Sequence, residues 1–297
     1  MTKLDERIRI DLAERFYGNP ISAATELAPL AKDGDGFRFS TKGMPTYFTG
    51  KRDAQTVFVQ LNPGMDAEKA DAKWTEYTKE FNTSNPEAFI ADYKTRQTNF
   101  GQIDRLRYDS FDVKQAAFLY EWKDSGINFP KNINWSSREE KINAKELVLM
   151  QKLQLELIPF ASQKFELNKS QLDLLVPYVE TLLDEIFCKK EGRKYVIFGG
   201  DFDSVFKKYN ETHPSSIVDL TGKIPVKGLK KNDGTDIKRP LYYKVIDIHY
   251  HNEQRQKALI AYTFPQTNLA NAYAILQEYG RQCYEAFVNT PFIRNKK

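Results

Sequence analysis

Short, continuous apolar runs alternate along this chain with longer stretches whose apolar residues recur every three or four positions. Val57-Phe58-Val59-Gln60-Leu61 is too short for a helix and apolar almost throughout, which predicts a buried strand. Leu153 to Pro159, Lys194 to Phe198 and Lys257 to Thr263 predict three more strands of this kind. Between them the spacing turns helical. Residues 4 to 17 carry Ile8, Ile10, Leu12 and Phe16 among charges, and Ala24 to Leu30 predicts a second, short helix after the break at Gly18-Asn19-Pro20. Gln171 to Cys188 presents Leu172, Leu175, Val176, Val179, Leu182, Leu183 and Ile186 on one face, with Ser170 placed as its cap. Gly199-Gly200 predicts a turn into a helix beginning near Asp201, and a closing helix is expected from Leu269 to Phe287. Phe37-Arg38-Phe39, Thr46-Tyr47-Phe48 and Leu241 to His251 predict further strands.

Four apolar strands separated by helices predict a three-layer α/β/α fold with a central, mostly parallel sheet of about four strands. We read residues 1–297 as a single domain, with an N-terminal helical and strand extension over 1–55 and a helical insertion over 66–150. The insertion is rich in charge and aromatics, and is broken at Asn85-Pro86 and near Phe129-Pro130.

Composition narrows the class without naming a function. The chain is 41% hydrophobic and 28% charged, a balance that supports a core, and its net charge of +4 neither demands nor excludes a nucleic-acid partner. Basic residues gather at Lys223, Lys227, Lys230, Lys231, Lys238 and Arg239, which a solvated loop also explains. Cys188 and Cys283 fit no disulfide framework or metal spacing, and both fall in helical stretches where a thiol acts as a small buried hydrophobe. The first residues lack the apolar core of a secretory signal, and no apolar run reaches membrane-spanning length. The expectation is a cytoplasmic monomer.

Two strand-to-loop junctions carry the chemistry. The first strand runs into Asn62-Pro63-Gly64, and the last runs into Phe264-Pro265-Gln266-Thr267-Asn268 before a helix. Open α/β sheets bind ligands beyond the carboxyl ends of their strands, so the two junctions are expected at one rim. The Asn-Pro-Gly corner directly after a strand resembles the first motif of the mismatch-specific branch of the uracil-DNA glycosylase superfamily. The second junction stands where that superfamily keeps its second motif, and Leu155-Glu156-Leu157-Ile158-Pro159 where it keeps the strand that reads the base edge. The resemblance spans residues 56 to 288.

It implies a nucleic-acid base hydrolase acting on DNA or RNA, with DNA favoured and no metal or organic cofactor. Asn62 then orients the attacking water, and Glu156 reads the base or polarises water. Gln60, Trp74, Tyr77 and Phe264 contact the extruded base, and Gln266, Thr267 and Asn268 at a helix start hold backbone phosphate. The sequence departs from the family at two of these positions. Phe264 replaces a histidine or asparagine and cannot donate a hydrogen bond to a departing base. Glu156 replaces an asparagine and, while ionised, only accepts, which suits a base presenting an amino group. A binding module without cleavage, and a hydrolase of free nucleosides or nucleotides, are the alternative readings.

Several residues have plainer explanations. Asn-Pro-Gly is also a good turn, Thr267 or Asn268 can simply cap a helix, and Trp74 and Tyr77 have the spacing of core aromatics. His213-Pro214-Ser215-Ser216 copies the family's second motif but follows a helix-like stretch rather than a buried strand. Asp247, His249 and His251 alternate along a strand as metal ligands can, yet no third element supplies a partner. Gly199-Gly200-Asp201-Phe202-Asp203 resembles a cyclase signature, although a glycine turn with Asp201 as N-cap accounts for it.

Overall fold

A computed structural model describes residues 1–31, 39–64, 68–72, 85–100, 110–162, 166–189, 191–230, 235, 240–251, 254–262 and 273–292. Its centre is a sheet whose strands are β1 (Phe48–Gly50), β2 (Thr56–Gln60), β3 (Lys152–Glu156), β4 (Tyr195–Gly199), β5 (Ile217–Asp219), β6 (Ile224–Pro225), β7 (Tyr242–Tyr250) and β8 (Gln254–Ala261). The order across the sheet is β1-β3-β2-β4-β8-β7-β5, with β6 also paired to β7. Strands β3, β2, β4 and β8 run parallel, and they are the four apolar runs of the sequence.

The expected sheet is therefore too small and too uniform. Among the described residues eight strands form a mixed sheet, because β1 pairs antiparallel with β3 at one edge, and at the other β7 pairs antiparallel with β8 and in turn with β5 and β6. β5 and β6 are only three and two residues long, too brief to show a period of their own. β1 begins two residues after Thr46, and Phe39 is not in a strand, while Phe37 and Arg38 lie outside the described residues.

Helices cover both faces. One face packs against α1 (Lys3–Phe16), α2 (Ser22–Glu26), α3 (Pro86–Thr98), α6 (Val176–Phe187) and α7 (Asp203–Thr212). The other packs against α4 (Ser110–Leu119), α5 (Arg138–Gln151) and α8 (Tyr273–Asn289). Alternation along the strands divides the core accordingly. Val57, Val59, Val196, Phe198 and Ile260 point to the first face, and Phe58, Ile197, Leu259 and Ala261 to the second.

Local sequence explains most helix ends. Thr2 caps α1 in a reciprocal box with Asp5, and Asn85 caps α3 ahead of Pro86. The expected cap at Ser170 is replaced by Asn168, whose side chain accepts from the Ser170 amide and opens a 3₁₀ segment over Lys169–Leu175. The α-helix starts only at Val176, with Pro177 in its first turn, where its missing N–H costs nothing. Asp201 does accept from the Asp203 amide at the start of α7, although Phe202 occupies the cap position. Ile10 is half exposed on α1, so the buried stripe is Leu4, Ile8 and Leu12. Cys283 is buried as expected, but Cys188 sits exposed just past the end of α6.

Candidate functional site

β2 and β8 both run parallel to β4, which lies between them, so both strands end at the same edge of the sheet. Trp74, Tyr77, Phe264, Gln266, Thr267 and Asn268 lie outside the described residues, which leaves Asn62, Gln60 and Glu156 as the predicted site residues with a described environment.

Beyond the last paired residues, β2 and β3 stay together. Leu157 and Ile158 donate their amides to the carbonyls of Gln60 and Leu61 at 2.8 Å, and the Ser162 amide reaches the carbonyl of Pro63 at 3.2 Å. The two exits thus form one continuous corner. Within it the Asn62 side chain is tied down: Nδ2 donates to Ser162 Oγ at 2.6 Å and to the Pro63 carbonyl at 3.2 Å. Committing the amide's donors leaves Oδ1 without a partner among the described residues. An oxygen so placed accepts a hydrogen bond from water and orients it, but an amide is no base and does not deprotonate it.

Gln60 and Glu156 are register partners at the carboxyl ends of β2 and β3 and share the second face of the sheet. Both are buried. Gln60 lies over Gly199 of β4, where a Cβ would come within 2.6 Å of both amide heteroatoms, so the glycine makes the room for this side chain. Gln60 Nε2 and Glu156 Oε2 are each buried with no hydrogen-bond partner among the described residues. Native interiors rarely leave such atoms unpaired, and two side by side mark a place where a ligand or ordered water completes the bonding.

The face of β3 behind Glu156 is unusual. β4 and β8 offer Tyr195, Ile197, Leu259 and Ala261 to the second core, whereas β3 offers Lys152, Gln154 and Glu156. A helix covers them. Asp112 and Gln115, one turn apart on α4, meet the Lys152 ammonium: Nζ donates to Asp112 Oδ1 at 2.7 Å and also to Gln115 Oε1. Gln154 Oε1 accepts from Lys152 Nζ at 3.0 Å and from Gln115 Nε2 at 3.1 Å, and Gln154 Nε2 donates to Glu156 Oε1 at 2.8 Å. A buried polar ladder therefore runs up β3 to the rim. Pattern alone misses it, because Lys-Leu-Gln-Leu-Glu is also how a strand with one solvent face is written.

Burial pushes the Glu156 carboxyl from its ordinary 4.5 up to about 8, against the opposing pull of the Gln154 hydrogen bond and the Lys152 charge. At neutral pH it is a carboxylic acid with a proton to give. The expectation of an acceptor-only Glu156 is thereby revised.

The rim continues past β8. Tyr262, next after that strand, donates its hydroxyl to Asp203 Oδ2 at 2.6 Å, and Lys223 Nζ sits 4.0 Å from the centroid of its ring. β6 pairs with the start of β7, so Lys223 and Lys227 flank the same edge of the sheet. Lys231, Lys238 and Arg239 lie outside the described residues.

The remaining candidates stand elsewhere. His213 ends α7, stacks on the Tyr209 ring at 4.3 Å and meets Glu180 at 3.3 Å, with no buried strand before it. Asp247 is held by Arg255 and by His249 Nε2 at 2.9 Å, so a guanidinium occupies the place a metal would need. No group of three or more metal-ligating side chains is found among the described residues. No helix among them is long and apolar enough to cross a membrane. No protein-family model, curated protein or solved structure matches the chain significantly.

Proposed function

We propose that this protein is a nucleic-acid base hydrolase of the uracil-DNA glycosylase type, acting on a base swung out of its strand. The observation that carries the reading is that Asn62, Gln60 and Glu156 all stand at the carboxyl ends of two adjacent parallel strands. One acceptor oxygen is fixed there, and two buried polar atoms await partners. In the proposed step a water held by Asn62 Oδ1 adds to the sugar C1′ as the N-glycosidic bond breaks. The bonding pair leaves with the base, the proton released by the adding water passes through solvent to the departing base, and donors at the site edge stabilise the charge that develops on it meanwhile. The step draws on side chains and water only. Lys223 and Lys227 beside the same rim suit a phosphate backbone, and the two unbridged thiols suit a cytoplasmic setting.

The test is incubation with uracil-, hypoxanthine- and mismatch-containing oligonucleotides, followed by detection of abasic sites. Wild type is expected to release base and Asn62→Ala to lose at least about 100-fold in rate. No release by wild type, or equal release by the variant, removes the enzymatic reading. Phe264, where the family has a hydrogen-bond donor, favours a second reading, a module that binds without cleaving. That module would bind oligonucleotides with steep salt dependence and liberate nothing.

A further inference from the structure

We infer that Lys152, locked by Asp112 and Gln115, acts through Gln154 as a positioning residue that makes Glu156 Oε2 a hydrogen-bond donor and tunes the site to a base edge bearing an acceptor. The inference rests on the base-binding reading of the site, and its own content is the direction of a hydrogen-bond chain.

That direction follows from what each group is able to do. An ammonium only donates, so the Gln154 atom 3.0 Å from Lys152 Nζ is its oxygen. Gln115 Nε2, donating to the same oxygen at 3.1 Å, holds the amide in that sense. The Gln154 nitrogen then faces Glu156, and Glu156 Oε1 is the acceptor at 2.8 Å. Oε2 is the oxygen left over, buried and unpartnered among the described residues. A carboxylate oxygen in that position would be a desolvated charge with nothing to bond to, whereas a hydroxyl is a donor waiting for a carbonyl or ring nitrogen. Asp112 pairs with Lys152 at 2.7 Å, which offsets part of the ammonium's pull on Glu156 and leaves orientation as the ladder's contribution. Lys152 and Asp112 are the charged members of this ladder, and Gln60 on β2 adds an amide without charge. The raised affinity of Glu156 for its proton agrees with the assignment.

Gln154→Glu tests the chain of reasoning. Beside the ammonium the new carboxylate only accepts, so Glu156 must turn its proton toward it and offer a carbonyl oxygen to the ligand. Glu156→Gln is the conservative partner, since an amide copies the donor and acceptor of a neutral acid. The full-length chain is assayed for binding and release with oligonucleotides carrying uracil or hypoxanthine (keto edges) and cytosine or adenine (amino edges). Infrared difference spectra at pH 7 between wild type and Glu156→Gln report the protonated carboxyl directly.

A protonated-carboxyl band, a keto preference kept by Glu156→Gln, and a shift of roughly ten- to a hundredfold toward amino bases in Gln154→Glu are expected. Should Gln154→Glu fail to fold, Glu156→Gln decides: loss of its keto preference overturns the inference. An unchanged preference in a folded Gln154→Glu overturns it too, as does absence of the band whatever the oligonucleotides do. A band present with no oligonucleotide bound overturns the base-hydrolase reading and the base-edge half of the inference, and leaves the ladder's direction supported.

Discussion

Gln60 and Glu156 stand side by side on adjacent parallel strands, and each buries one polar atom that no described residue engages. An unmet buried hydrogen bond costs about 1–3 kcal/mol, so the pair is a local expense that the core around it must offset. Behind them Lys152 and Gln154 are hydrogen-bonded, so along β3 the deficit falls at the rim.

The room for Gln60 comes from Gly199. Gly199→Ala should push the Gln60 amide aside, since the added carbon meets the flexible end of that side chain. We expect loss of oligonucleotide binding with a melting temperature within a few degrees of wild type. Gly280→Ala is the contrast, because its new carbon would overlap the Phe118 carbonyl where α8 crosses α4. Overpacking against backbone should cost about 1–3 kcal/mol or more in urea unfolding. Equal effects of the two variants on stability would contradict this account.

Glu156 links folding to pH. Its carboxyl holds its proton up to about pH 8 when folded, against an ordinary value of 4.5, because burial disfavours the charge. Between those values the folded chain binds the extra proton, so the stability contributed by this group falls as pH rises. The contribution is complete below the lower value and is lost as pH climbs through the upper one. Denaturant unfolding of wild type and Glu156→Gln from pH 5 to 9 should show wild type losing ground steadily, and a constant difference would refute the buried acid.

Lys152 and Asp112 form an ion pair under α4. Lys152→Met strands a buried carboxylate and should cost about 3–5 kcal/mol. Adding Asp112→Leu should recover much of that loss, because an apolar pair replaces a desolvated one. If the double variant is no more stable than the single, the carboxylate is not the source of the penalty.

Ser162 anchors Asn62. Its hydroxyl bonds Asn62 and neither Gln60 nor Glu156, so Ser162→Ala should slow base release about tenfold through a looser Asn62 while oligonucleotide affinity stays within about twofold. A change in affinity with no change in rate would assign the serine to binding instead.

The sequence by itself determined the four strands of the parallel centre, because a short, mostly apolar run reads as a strand wherever it lies, and it placed Asn62 just past the end of the first. It also placed α1 to within a residue and the ends of α6 and α8 to within two. It did not determine what covers the polar side of β3. Lys152, Gln154 and Glu156 alternate with leucines as a half-exposed strand does, and only packing put α4, with Asp112 and Gln115, over them. The antiparallel strands at both edges, the space Gly199 leaves for Gln60 and the raised proton affinity of Glu156 are likewise products of distant chain segments. Periodicity reports which residues share a face, but what covers that face, and so whether a carboxyl meets water or a helix, is settled by contacts far apart in number.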